Sequence, residues 1–242
     1  MIYLVSLLCG IGGGAISIIC GFGLGIFTMM FLPHVMDNTL ACAAVVAITS
    51  LFQSAWVCYH YRKKVQWKNI VFTAAGYFIF SAFGVIFGKN IPTHLLKVCL
   101  GVLMIGLAIY FVFFSARIRV KPTPVNGLIA GSLGGIMSSL FGVGGPPASV
   151  YFSSSYDDKE VYLATIQTYF MLSNLYVTSV RAVNGLITRQ VLVVSALCIV
   201  GMTIGTFIGK KVFDKINADG MRKAIYTLMA VSGITMVISA VQ

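Results

Sequence analysis

The chain has 242 residues, 58% of them hydrophobic and only 10% charged, with a mean hydropathy of +0.94. A soluble domain carries about 25% charged residues, so this composition excludes an ordinary soluble globular fold. The net charge of +11 would suggest nucleic acid in a soluble chain, but here the cations cluster between long apolar runs. That is the pattern of basic cytoplasmic loops, so the partner expected is a lipid bilayer and not nucleic acid.

Crossing the hydrocarbon core takes about 20 apolar residues of helix. The runs 2–32, 39–59, 70–88, 98–116, 125–152, 161–180, 191–208 and 224–241 are the candidates. They are continuously apolar rather than alternating, which argues against a β-barrel. Backbone groups in hydrocarbon need internal partners, so helices are expected. The fold class is therefore an all-α integral membrane protein. Residue 1 onward lacks a positive n-region and a small-residue cleavage pattern, so the start is expected to be retained.

The first run, 2–32, would measure about 46 Å as one helix, far more than a bilayer core. It is interrupted by Gly10, Gly12 to Gly14, and Gly21, Gly23 and Gly25. The run 125–152 carries the same kind of interruption at Gly131, Gly134, Gly135, Gly142, Gly144 and Gly145, followed by Pro146 and Pro147. Glycine weakens a helix and proline removes a donor. Each run is therefore expected to be two shorter helices around a break.

A shift of 119 residues lays Phe22, Gly23 and Gly25 over Phe141, Gly142 and Gly144. The same shift lays Thr49 over Thr168, Ser54 over Ser173 and Arg62 over Arg181. With a slip of two residues, Phe87-Gly88-Lys89 resembles Ile208-Gly209-Lys210. Two homologous repeats are expected, 1–116 and 125–242, joined by a basic linker, 117–124. If every run crossed once, basic residues would divide nine against eight between the two sides. If each broken run enters and leaves on one side, they divide thirteen against four, the minority being Lys89, Lys97, Arg181 and Arg189. The second division is what the positive-inside rule favours. It makes the repeats inverted and places both termini outside the cell membrane.

No Asp or Glu lies inside a run, which argues against a cation pump or a buried proton relay. A site would have to be built from backbone amides and neutral polar side chains, at breaks where helix N-termini attract anions. The candidates are Gly23, Leu24 and Gly25 with Thr49, Ser50 and Gln53 in the first repeat. In the second they are Gly142, Val143, Gly144, Gly145 and Pro146 with Gln167, Thr168, Ser173 and Asn174. The hydroxyls have a bland alternative, bonding to a neighbouring carbonyl. Arg62 and Arg181 end matching runs, where they would anchor at headgroups or form a funnel for anions. His34, His60 and His94 lie near run ends without metal-ligand spacing. The six cysteines, Cys9, Cys20, Cys42, Cys58, Cys99 and Cys198, are read as buried apolar residues. No cofactor or metal is expected.

The glycine-rich openings (Gly12 through Gly25 and Gly131 through Gly145), the prolines downstream (Pro33, Pro146, Pro147) and the element Ala47-Ile48-Thr49-Ser50 resemble the sulfite exporter TauE/SafE family over nearly the whole chain. The second half departs from it at Ile166-Gln167-Thr168-Tyr169, keeping the threonine and losing the serine. The resemblance implies transport of sulfite, sulfonates or related sulfur oxyanions. The expected function is a secondary transporter of a small anion working by alternating access, with a proton or sodium ion as candidate coupling ion and homo-oligomerisation left open. No Walker-type loop is present. The alternatives are an anion-selective channel and an intramembrane enzyme; Ser138 and Ser139 have no histidine within a run to serve the latter.

Overall fold

The computed structural model describes residues 1–20, 22–36, 38–113, 120–156, 158–213, 227 and 229–238. Among them there is no strand, and the long helices follow the apolar runs. They are α1 (Ile2–Cys20), α2 (Leu24–Phe31), α3 (Thr39–Tyr61), α4 (Trp67–Gly88) and α5 (Thr93–Phe113), then α6 (Pro124–Phe141), α7 (Gly145–Ser155), α8 (Lys159–Val183), α9 (Arg189–Phe213) and α10 (Met229–Ile238). Five of these, α3, α4, α5, α6 and most of α9, are long and apolar enough to cross a membrane. Large apolar side chains such as Phe83, Phe87, Ile109 and Phe207 stand exposed on the outside, as a lipid-facing surface requires.

Local chemistry sets the helix starts. Asn38 accepts the amides of Leu40 and Ala41 at the head of α3, and Thr123 caps α6 ahead of Pro124, whose missing donor costs nothing in a first turn. Asp158 caps α8 through the amides of Glu160 and Val161, bonds that hold its carboxyl below the usual carboxylate range.

Both glycine-rich runs are broken, and each folds back on itself. In the first, Gly13 meets Leu24 and Gly12 meets the ring of Phe27, so α1 and α2 are antiparallel. In the second, the Tyr151 hydroxyl reaches Thr123 O at 3.3 Å and Ser154 Oγ accepts from Val120 N, so α7 returns to the end where α6 began. The opening helix of each hairpin then packs in parallel on a helix far along the chain. Gly10, Gly14, Gly201 and Gly205 bring the backbones of α1 and α9 into contact, and Gly76, Gly131 and Gly135 do so for α4 and α6. Glycines at such crossings let membrane helices approach closely and gain packing. Helices α3 and α8 are antiparallel, with Cys58 beside Thr168 and Ala43 beside Arg181.

These contacts sort the loops. Lys64 pairs with Glu160, so the turns after α3 and α7 share one side, and the segment 120–123 joins them there through Ser154. Lys89 donates to Asn184 Oδ1 at 2.8 Å, so the turns after α4 and α8 share the other. Arg117, Arg119, Lys215, Arg222 and Lys223 lie outside the described residues.

Two expectations are corrected. Arg181 is no headgroup anchor but fully buried, because α6 ends beside it. Cys99 is exposed, on the outward face of α5, while Cys9, Cys42 and Cys198 are buried, Cys58 is half-buried and the Cys20 side chain is outside the described set. His34 and His94 are exposed at helix ends; the His60 side chain is likewise not described.

A side chain at Gly131 would overlap Thr73 O, and one at Gly205 would overlap Ile11 O, both backbone atoms that cannot swing aside. Gly131→Val and Gly205→Val are each expected to destabilise the protein by about 1–3 kcal/mol or more. Gly106, with nothing within 4 Å, should accept alanine without loss. Thermal unfolding in detergent checks this; equal midpoints for all three would remove close backbone approach as the constraint.

Candidate functional site

The hairpin tips meet. A methyl group on Gly25 would overlap Gly142 O, and one on Gly145 would lie 3.3 Å from Phe22 Cβ. Each tip turns on a glycine of positive φ, Gly23 at 132° and Gly142 at 66°, a region other residues enter only at a cost. These two glycines are the pair that the 119-residue shift superposes. The N-termini of α2 and α7 open onto one cavity of about 60 Å³ between the tips and the walls of α3 and α8. At about 10–15 Å³ per water, that is room for a solute of roughly four or five heavy atoms.

Of the sequence candidates, Gly23, Leu24, Gly25, Ser50, Gln53, Gly142, Val143, Gly144, Gly145, Gln167, Ser173 and Asn174 line this cavity. Three do not. Thr49 Oγ1 donates to Val45 O at 2.8 Å and Thr168 Oγ1 to Ala164 O at 2.7 Å, so the duplicated pair turns back on its own helices. Pro146 carries no N–H and lines a different, apolar recess of about 570 Å³ between α5, α6 and α7, with Leu103, Tyr110 and Leu133. Ser17, Ser54, Tyr77, Ser138 and Phe170 also line the cavity between the tips. Ser54 was visible as the register partner of Ser173, whereas Tyr77 lies in an apolar run and gave no signal.

The amides divide into used and free. Gly142 N donates to Ser138 O and Val143 N to Met137 O, closing the end of α6. The amides of Gly144 and Gly145 have no such partner among the described residues, and those of Leu24, Gly25 and Ile26 begin α2, where no intrahelical acceptor exists. On the wall, Ser173 is 2% exposed and its hydroxyl, beside that of Tyr169, has no other hydrogen-bond partner among the described residues. Tyr77 donates to Ser138 Oγ at 2.7 Å in a fully buried bond. Arg181, with no exposed surface, donates from Nη1 to Ala43 O at 2.7 Å and from Nη2 to Ser138 O at 3.0 Å and Ser139 O at 2.8 Å. The cavity lining itself holds no charged residue, but Ser138 is common to the cavity wall and to the arginine's ligands. Among the described residues no cluster of His, Cys, Asp and Glu could hold a metal.

Comparison with known proteins adds the family. The profile described as "Sulfite exporter TauE/SafE" matches residues 6–236. The chain belongs to this family. It is thus a multi-pass membrane transporter and not an enzyme. It is similar to a protein of Cupriavidus necator named as a probable sulfite/organosulfonate exporter TauE, with 22% identity over 230 residues, covering 92% of this chain and 89% of the relative. No solved structure matches it.

Tyr77→Phe deletes the donor to Ser138 Oγ and should lower stability by about 1 kcal/mol. Ser138→Ala should cost a similar amount, and the double variant should cost less than the sum. Full additivity in a detergent unfolding cycle would show that the two hydroxyls are not coupled.

Proposed function

We propose that this transporter carries a small sulfur oxyanion or organosulfonate across the cell membrane, by alternating access of two inverted repeats, 1–116 and 125–242. The observation that carries the reading is the meeting of two helix N-termini, from separate hairpins, on one small cavity with several polar side chains in its wall. Free amides at helix starts, with the hydroxyl of Ser173 and the side chains of Ser50, Gln53, Gln167 and Asn174, suit an acceptor-rich tetrahedral or pyramidal anion. Its size matches a solute of four or five heavy atoms. The name of the Cupriavidus necator relative points to the same cargo class.

The inverted arrangement is supported by helix directions. Helix α1 runs parallel to α9 and α6 parallel to α4, which are reciprocal partners under the 119-residue shift, and α3 is antiparallel to its counterpart α8. The two turns that share Lys64 and Glu160 belong to the basic side, which the positive-inside rule puts in the cytoplasm, with both termini outside. A carrier of this kind moves its site between the two faces by rocking one repeat on the other. A proton or sodium ion would supply the coupling, and homo-oligomerisation is compatible with the exposed apolar surface.

Purified protein in proteoliposomes should move sulfite or methanesulfonate with saturable kinetics. Gln53→Leu together with Ser173→Ala should raise KM by about tenfold, a loss of about 1.4 kcal/mol of binding, while the protein remains folded. Flux of neither anion from folded, oriented protein would overturn the reading, and flux that never saturates would make it a channel.

A further inference from the structure

Arg181 lies inside the protein with only carbonyl ligands. The acidic residues among those described are Asp158, which caps α8, and Glu160, which pairs with Lys64. Neither reaches the arginine, so its positive charge has no carboxylate partner among the described residues. A buried cation without a counter-ion is strongly disfavoured, and its field extends far in a low dielectric. Ser138 separates it from the cavity: the backbone oxygen of that residue accepts from Nη2, and the residue itself lines the cavity wall.

Helix dipoles do not supply a second net charge here. Each tip joins the C-terminus of one helix, α1 or α6, to the N-terminus of the next, α2 or α7. The partial charges, about half a unit each and of opposite sign, therefore cancel to first order across each hairpin. Among the described residues, what remains beside the cavity is the charge of Arg181.

We propose that Arg181 is the residue that selects by charge in this transporter, and that its single positive charge restricts the cargo to monovalent oxyanions. This rests on the reading of the cavity as the anion site. A monoanion leaves the occupied site neutral. A dianion leaves it negative, and a neutral molecule of the same shape leaves the arginine uncompensated. Arg181 acts across Ser138 without touching the cargo, so it is a specificity-determining residue acting through the field and through the position of the α6 terminus.

Three isosteric probes test it: methanesulfonate (monoanion), sulfate (dianion) and dimethyl sulfone (neutral), each as inhibitor of labelled methanesulfonate flux in proteoliposomes at neutral pH. For the unaltered protein, methanesulfonate should inhibit at least about tenfold more strongly than either of the others. In Arg181→Gln, which keeps N–H donors and drops the charge, KM should rise by about tenfold or more and the preference for methanesulfonate over dimethyl sulfone should collapse. Arg181→Lys should restore most of that preference, which a purely structural clamp on three carbonyls would not do. Sulfate inhibiting as well as methanesulfonate in the unaltered protein overturns the proposal, even if Arg181→Gln fails to fold. So does a folded Arg181→Gln that keeps the full preference. Absence of any oxyanion flux from the unaltered protein would instead overturn the transport reading itself, a distinguishable failure.

Discussion

Two helices that stop inside a hydrocarbon layer must find partners for the backbone groups they release, since no water is available to take them. In this protein the released carbonyls and the released amides have different fates. At the end of α6, Gly142 and Val143 donate back to Ser138 and Met137, and Arg181 takes the outward faces of Ser138 O and Ser139 O. The amides at the starts of α2 and α7 have no backbone partner among the described residues and border a cavity. A donor-rich hollow is the residue of this accounting. The same breaks that threaten stability leave amide donors beside that hollow.

The glycine crossings are what bring the tips to one place. With α1 pressed on α9 and α6 pressed on α4, each hairpin is held along its opening helix by a partner remote in sequence. The returning helices α2 and α7 are short, at 8 and 11 residues, and cannot span a bilayer of about 30 Å. Their starts are therefore held at depth by the long helices beside them. Helices α3 and α8 supply the walls, and their polar residues Ser50, Gln53, Ser54, Gln167, Ser173 and Asn174 face the hollow.

The sequence carried the breaks clearly, because consecutive Gly and Pro have few other uses in an apolar run. It carried the polar wall as well, since Ser50 and Gln53 sit three apart, and Gln167 and Asn174 seven apart, spacings that share a helix face. It misled at Thr49 and Thr168. The shifted register lays one over the other, but both hydroxyls satisfy the carbonyl one turn back, a choice that can recur without any binding role. Pro146 was misplaced for a chemical reason: a residue without N–H adds nothing to an amide site. Arg181 was hardest to read. Near the end of an apolar run it looks like any cation reaching for headgroups. Only the arrival of the α6 terminus, from forty residues upstream, makes burial tolerable.

Arg62 and Arg181 differ in a way that gives the α3–α8 wall two unlike ends. The 119-residue shift superposes them, yet Arg62 is exposed and stacks over the Tyr59 ring at 5.0 Å, while Arg181 is enclosed. One end of the α3–α8 wall thus carries a solvated cation, and the other a dry one that ties Ala43 of α3 and Ser138 and Ser139 of α6 to α8. Separating any of these three helices at that end would leave carbonyls and part of the guanidinium without partners, and charge-assisted bonds lost without replacement cost several kcal/mol. At this end, then, α3, α6 and α8 hold together as one block. The end that bears Arg62 is joined to α8 by the exposed Lys64–Glu160 pair, which water replaces readily, and by two neutral bonds, Cys58 with Thr168 and Gln66 N with Thr165 Oγ1, none of which encloses a charge. Whatever relative motion the helices undergo is therefore easier at the Arg62 end than at the Arg181 end.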